Sequence, residues 1–279
     1  KEELESHGID VIHHLPGVGK NLQEHVDACV LVESKLKDGF STSPSGLIKM
    51  LPDTLKYLTS KKGNLANSIT QAGAFLKSSP EVEVPDIQMH FVPLLFDDCG
   101  RDLSLLSKHG YSLHVCVLRP KSRGRVSLKS LDPREPVKID FNFLSDPEDA
   151  KVLVNGIRVA RKILASPAFD AHRGNEMHPG ADVVSDEGIL QKCKDKLGLV
   201  YHPTGTCKMG QDAMAVVDHQ LKVHGVKNLR VVDCSVMPTL VSGNTNGPII
   251  AMAEKAADLI LNAQVQHTKE TAKDTLEKV

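Results

Sequence analysis

The spacing of apolar residues along this chain changes period several times, and each change marks an element. Over residues 44–62, Leu47, Ile48, Leu51, Leu55 and Leu58 recur at three and four residues, and the run stops at Gly63. That pattern predicts an amphipathic helix, bent or interrupted by Pro52. The period then drops to two. In DIQMHFVPL, YSLHVCVLRP, GRVSLKS and PVKIDFNFL the apolar side chains alternate with polar ones, as in Ile87, Met89, Phe91 and in Val137, Ile139, Phe141, Phe143. Such runs, separated by turn residues, predict an antiparallel sheet with one wet or differently covered face.

Helical spacing returns in LSDPEDAKVLVNGIRVARKILASP, with Ser145 and Glu148 in capping-box spacing, Pro147 in the first turn, and a buried stripe of Leu153, Ile157, Ala160 and Leu164 ending before Pro167. A second helix is expected over about 186–196. After an irregular loop, NLRVVD reads as a short strand buried on both faces. A final helix starts at Pro248 and turns Ile249, Ile250, Ala253, Ala256, Ala257 and Ile260 inward, before a polar tail that frays. The opening LESHGIDVIHHLPGVG reads as a helix end closed by Gly8, a short strand over residues 9–15, and a turn.

Composition adds few constraints. A chain of 279 residues with 41% hydrophobic and 25% charged residues is ordinary for a globular protein with its own core. Its 34 basic and 35 acidic residues nearly cancel, so no electrostatic footprint points to nucleic acid. Six scattered cysteines without a Cys-x-x-Cys pair argue for free thiols in a reducing compartment. No apolar run approaches the length of a spanning helix. The start KEELESHGIDV has neither an initiator Met nor the order of a signal peptide, so the chain is expected to be processed or part of something larger.

Four chemistries compete. Gly17-Val18-Gly19 invites a dinucleotide fingerprint, but the third glycine position is Leu22 and a strand-like run follows, so a structural turn is expected. His202, Cys207, His219 and His224 could be drawn as a metal site, yet they cross several elements without the paired spacing of zinc ligands, and no metal is expected. No Gly-x-Ser-x-Gly elbow singles out a nucleophilic serine. The fourth reading uses two loops. His202 lies in YHPTGTCKMG, and Asn244 precedes the helix that starts at Pro248, whose N-terminus carries unpaired amides and partial positive charge. A His, an Asn and such a helix end, if they converge, suit removal of a proton and a hydride from an alcohol.

HGIDVIHHLPGVGKNLQEH, LRPKSRGRVSLKSLDPREPVKIDFNFLSDPED, YHPTGTCKMG, HGVKNLRVVDCSVMP and SGNTNGPIIAMAEKAADLI, in this order, resemble the C-terminal half of glucose-methanol-choline (GMC) oxidoreductases. These are FAD-dependent alcohol oxidases and dehydrogenases. The resemblance implies an α+β fold: an antiparallel-sheet substrate domain flanked by helices, plus the C-terminal strand and helix of an FAD-binding α/β domain whose N-terminal part is missing. The implied division is 1–28 as a remnant of the FAD-binding domain, 29–200 as the substrate-binding domain, 201–262 as the returning segment with the catalytic loops, and 263–279 as a polar tail. It places the catalytic histidine on His202, the second His-or-Asn position on Asn244, and flavin contacts on Asp233, Cys234, Asn246, Gly247 and Pro248.

The implied chemistry is oxidation of a primary alcohol to an aldehyde. His202 takes the hydroxyl proton, Asn244 donates an amide N–H to the substrate oxygen, and the flavin takes the hydride at N5. A histidine with an ordinary pKa of about 6.5 suits that role near neutral pH. The Gly-x-Gly-x-x-Gly element that holds the FAD pyrophosphate in the family is absent from these residues. The fragment alone is therefore expected to be inactive until joined by the missing N-terminal FAD-binding half. A chain with no Trp and three Tyr offers little of the aromatic cage that suits choline. An aliphatic alcohol is the expected substrate, with a quinone-type acceptor and a cytoplasmic location, peripheral on the membrane face. Choline dehydrogenase, or a truncated non-catalytic ligand-binding or interaction fragment, are the alternatives.

Overall fold

In the computed structural model, residues 1–97, 100 and 102–276 are described, with side chains described to residue 262. Cys99, one of the expected free thiols, and the end of the polar tail at 277–279 lie outside them. The chain divides into two compact units. One comprises residues 25–121 and 143–201, and the other comprises 1–24, 122–142 and 202–279. Against the expected continuous 29–200 domain, residues 122–142 group with the two chain ends, and residues 25–28 and 201 group with the sheet unit.

The first unit is built on an antiparallel sheet in the order β2-β3-β4-β1-β7, from β1 (Val26–Ser34), β2 (Ala72–Leu76), β3 (Ile87–Val92), β4 (Gly110–Val117) and β7 (Arg173–His178). A short β8 (Gly198–Leu199) also pairs with β1. The register runs from Asp27 opposite Cys116 to Glu33 opposite Gly110, and from Ile87 opposite Val117 to Val92 opposite Ser112. Every residue of β4 is buried, so of the two alternatives for the second face, wet or differently covered, the sheet takes the covered one. On one face α3 (Pro147–Leu164) sets Leu153, Ile157, Ala160 and Leu164 against Val30, Ile87, Met89 and Val115. The fit is close enough that a Cβ added at Gly156 would lie 2.5 Å from Val115 Cγ1. On the other face Cys29, Leu31, Leu95 and Leu105 form a second cluster.

Asp146, one residue beyond the Ser145 of the expected capping box, caps α3: its carboxylate accepts the Glu148 amide at 2.9 Å. α4 (Asp186–Asp195) lies as expected. β2 and β7 carry no clear alternation. β7, with the sequence RGNEMH, is polar because its Glu176 is engaged by Arg161 of α3 at 2.6 Å. α2 (Pro44–Ser60) forms where the spacing predicts it, but its aliphatic stripe faces outward, and Gly46 alone of its residues is buried.

The second unit holds α1 (Glu2–Ser6), the hairpin of β5 (Arg125–Ser127) and β6 (Lys138–Asp140), and α5 (Asn246–Leu276). Its core gathers Val216, Val217, Leu221, Val223, Val236 and Ala256. Three expectations are corrected here. Residues 9–15 are irregular, with Ile12 fully exposed, because no strand among the described residues pairs with them. NLRVVD forms no buried strand: it makes single-residue bridges, and Leu229 is 49% exposed. A strand buried on both faces sits between neighbours, and this segment pairs on one side only, with residues 221–223, among the described residues. The last helix starts at Asn246 and continues to Leu276, and of the stripe proposed for it only Ala256 is buried, with Ile250 and Ile260 exposed.

Candidate active site

The loop YHPTGTCKMG is held by residues 21–24 of the same unit. Gln23 and Thr204 exchange both backbone hydrogen bonds at 3.0 Å. The buried Glu24 carboxyl accepts the His202 amide at 2.6 Å. Asn21 donates its side-chain amide to the carbonyls of Gly205 and Pro238, each at 3.2 Å, and accepts from Arg123 Nε at 3.0 Å. Gln23 Oε1 accepts the amide of Leu240 at 3.0 Å. Asn21, Gln23 and Glu24 thus fix the His202 loop and the stretch that leads to Asn244.

A second set of bonds ties that loop to Asp233 and Cys234. Gly205, Cys207 and Met209 donate their amides to the carbonyls of Cys234, Ser235 and Val236, at 3.3, 2.8 and 2.8 Å. Gly205 sits at φ +92°, and a Cβ there would lie 2.4 Å from the Asn21 carbonyl oxygen, so only glycine allows this approach. The Asp233 carboxylate accepts the Ser235 amide at 2.7 Å and so caps the turn Cys234–Val236. Burial first, and then the Asp233 charge, push the Cys234 thiol up, while the Thr245 hydroxyl, hydrogen-bonded to it, opposes them. Burial also raises the Cys207 thiol, with Ser235 as its hydrogen-bonding neighbour. Neither thiol is poised to react. The Cys234–Thr245 bond brings the Asp233 turn beside the loop that carries Asn244.

His202 is half-buried and Asn244 exposed. Asn246, Gly247 and Pro248 are exposed at the start of α5, which has no acidic residue in its first turn. A Cβ at Gly247 would meet nothing within 4 Å. An open, uncharged-to-positive helix end of this kind fits the electron-rich edge of a flavin ring. The residues that would cradle a pyrophosphate are not in the sequence. Glu24 and Gln23 escaped the sequence reading; the available signal was two polar residues placed directly before a strand that is buried almost throughout.

The family model described as GMC oxidoreductase matches residues 120–253. These residues are the C-terminal domain of the GMC oxidoreductase family. The chain is 44% identical over 263 residues to an alcohol dehydrogenase (acceptor) of Pseudomonas putida, covering 93% of this chain and 47% of that protein. It is 42% identical over 264 residues to an oxygen-dependent choline dehydrogenase of Pseudomonas savastanoi pv. phaseolicola, covering 94% of this chain and 46% of the relative. The chain therefore spans about half the length of the curated relatives it matches. Formate oxidase of Aspergillus oryzae RIB40 shares the fold with a TM-score of 0.80 at 24% identity, over 96% of this chain and 51% of that one. Pyridoxine 4-oxidase from Mesorbium loti does so with 0.75 at 23%, over 92% and 46%. No helix among the described residues is long and apolar enough to cross a membrane.

Proposed function

We propose that this chain supplies the proton-handling loops and the substrate-domain sheet of an FAD-dependent dehydrogenase that oxidises a primary aliphatic alcohol to its aldehyde. The carrying observation is the hub at residues 21–24, which fixes the His202 loop and the approach to Asn244 through one run of backbone. FAD, when bound, accepts the carbon-bound hydrogen as hydride. His202 accepts the hydroxyl proton, so that the alkoxide expels that hydride; a placed base of this kind contributes about 10²–10⁴ in rate. Asn244 donates its amide N–H to the alcohol oxygen and does not compete for the proton. Asp233 holds the Cys234 turn, and Asn246, Gly247 and Pro248 present the helix end that favours negative charge on the ring. The sheet unit carries the substrate side.

Similarity to the alcohol dehydrogenase (acceptor) and to the choline dehydrogenases supports a small alcohol as substrate; a quinone-type electron acceptor is part of the proposal and rests on the family resemblance alone. The paucity of aromatic residues in this chain favours the aliphatic alcohol over choline. The test is co-expression with a flavin-binding half and visible spectroscopy of the bound flavin. Anaerobic bleaching by an aliphatic primary alcohol, lost in His202→Ala with flavin content kept, supports the reading. Bleaching by choline alone assigns the alternative substrate. Equal bleaching in His202→Ala removes His202 from the chemistry.

A further inference from the structure

We propose that a cleft between the C-terminal half of α3 and β7 binds an amphiphilic monocarboxylate, an alkanoate of medium chain length. Every residue that lines it belongs to the sheet unit, so the inference does not depend on the catalytic reading. The cleft has a volume of about 520 Å³, within the range of small-molecule sites. Its floor is aliphatic: Val30 and Val32 of β1 and Leu164 of α3, each no more than 3% exposed. Ala181 and Val184, both exposed, extend that apolar surface to the mouth. A floor of this kind takes an alkyl tail and offers nothing to a sugar, whose hydroxyls would go unpaired there.

The rim supplies the charge. Arg158 and Arg161 stand three residues apart on α3, so they share one side of the helix, and β7 adds Arg173. Glu176 is the one carboxylate among the lining residues. Arg161 consumes it, with Nε 3.1 Å from both carboxylate oxygens and Nη2 2.6 Å from one, and this mostly buried pair is neutral as a unit. Arg158 and Arg173 have carboxylates of their own, Asp186 and Asp170. Those two lie outside the lining and are 67% and 60% exposed, so water screens both pairs. Each guanidinium also keeps an unused donor: Arg158 Nη1 and Arg173 Nε make no hydrogen bond among the described residues. The end of α3 would repel an anion through its last carbonyls, but Arg173 Nη1 covers two of them, at 2.8 Å to Leu164 and 3.3 Å to Ser166. Two under-used guanidiniums around an aliphatic floor select a carboxylate on an apolar chain: the carboxylate accepts from the free donors, and the alkyl part replaces water on Val30, Val32 and Leu164.

The experiment is calorimetric titration of the 279-residue chain with butanoate, hexanoate, octanoate, octan-1-ol and inorganic phosphate. Affinity should rise by up to about fourfold for each methylene added to the alkanoate. Octanoate should bind at least about tenfold more tightly than octan-1-ol, which has the tail without the charge. Arg158→Gln, at an exposed position, should leave the melting temperature of the free chain close to that of wild type and weaken octanoate by about tenfold. Because the chain has no tryptophan, Ala181→Trp places a single probe at the mouth, whose emission should change with octanoate and saturate over the same concentrations as the heat. Equal affinity for octanoate in wild type and Arg158→Gln overturns the proposal, as do an affinity independent of chain length and phosphate bound as tightly as octanoate. Heat released by octanoate with no response at position 181 also overturns it, because the ligand then lies elsewhere on the chain.

Discussion

His178, at the end of β7, should make the sheet unit lose stability in acid. It is 6% exposed, and its Nε2 has no hydrogen-bond partner. Burial first, and then the Lys196 ammonium, push its pKa down to about 4, against an opposing pull from Asp97. The folded chain therefore holds it neutral, while the unfolded chain protonates it near the ordinary value of about 6.5. Its contribution is fully present above about 6.5 and is lost as pH falls toward 4, reaching about 3 kcal/mol below that. Urea melts at about pH 7 and about pH 4.5 should differ by about 2.5 kcal/mol from this group. Other carboxylates also titrate there, so the quantity to compare is the pH dependence of wild type against that of His178→Leu. The variant should lack that share of the acid loss. Superimposable pH dependences would falsify the assignment of His178 as a buried neutral imidazole.

The opposite sign is expected at His114, where burial favours the neutral ring but the Asp27 carboxylate, 2.7 Å from Nδ1, together with the Phe96 carbonyl and the Asp97 charge, raises the pKa on balance. Its stabilisation is present below about 6.5 and disappears as pH rises through the raised value, so Asp27→Asn should flatten the alkaline side of the stability profile. Glu24→Ala should leave the His202 amide unpaired, destabilise by about 1–3 kcal/mol in urea melts, and slow flavin reduction; Glu24→Gln should recover part of both. An unchanged reduction rate in Glu24→Ala would show that the hub does not position the base. Asn244→Ala should slow reduction by an alcohol while flavin content stays intact, and loss of the flavin would reassign Asn244 to cofactor binding. Gly156→Ala should gain about 1 kcal/mol of helix propensity but lose about 1–3 kcal/mol to overpacking against Val115; a net stabilisation in thermal melts would mean the interface relaxes freely.

Elements whose side chains report their own surroundings were legible. β3, β4 and α3 show the period of their geometry because one face of each meets the same apolar cluster. β7 was not, since its residues answer to partners distant in sequence: Arg173 donates to the Leu164 carbonyl and Glu176 receives Arg161, leaving no alternation to read. α5 failed in the other direction. Its alanines and isoleucines look like a buried stripe, but a pattern records only that a residue could be buried, and of that stripe only Ala256 is fully buried, with Ile249 half-buried. α2 is the same lesson with a different outcome, because its stripe is correct in period and opposite in direction. Among the site residues, His202 and Asn244 stand out by motif. The bonds that hold their loops run through side-chain and backbone atoms of residues 21–24, whose types carry no periodic signal.

Placement of the hub has a consequence for catalysis. The His202 loop has almost no regular structure, yet a proton acceptor must be held within a few tenths of an ångström to be useful. A free loop of ten residues could not do this, and the backbone ladder to residues 234–236 alone leaves its N-terminal end, where His202 sits, unfastened. Glu24 closes that end by bonding the amide of His202 itself, with a buried carboxyl in place of a mobile surface group. The backbone of His202, the proposed base, is thereby pinned. Gln23 repeats the device one residue earlier, pairing Thr204 by backbone and Leu240 by side chain, so displacement of either loop strains the other. His202 and Asn244, the proposed proton acceptor and hydrogen-bond donor, are therefore expected to move together or not at all, and substitutions at Gln23 and at Glu24 should be non-additive in the rate of flavin reduction.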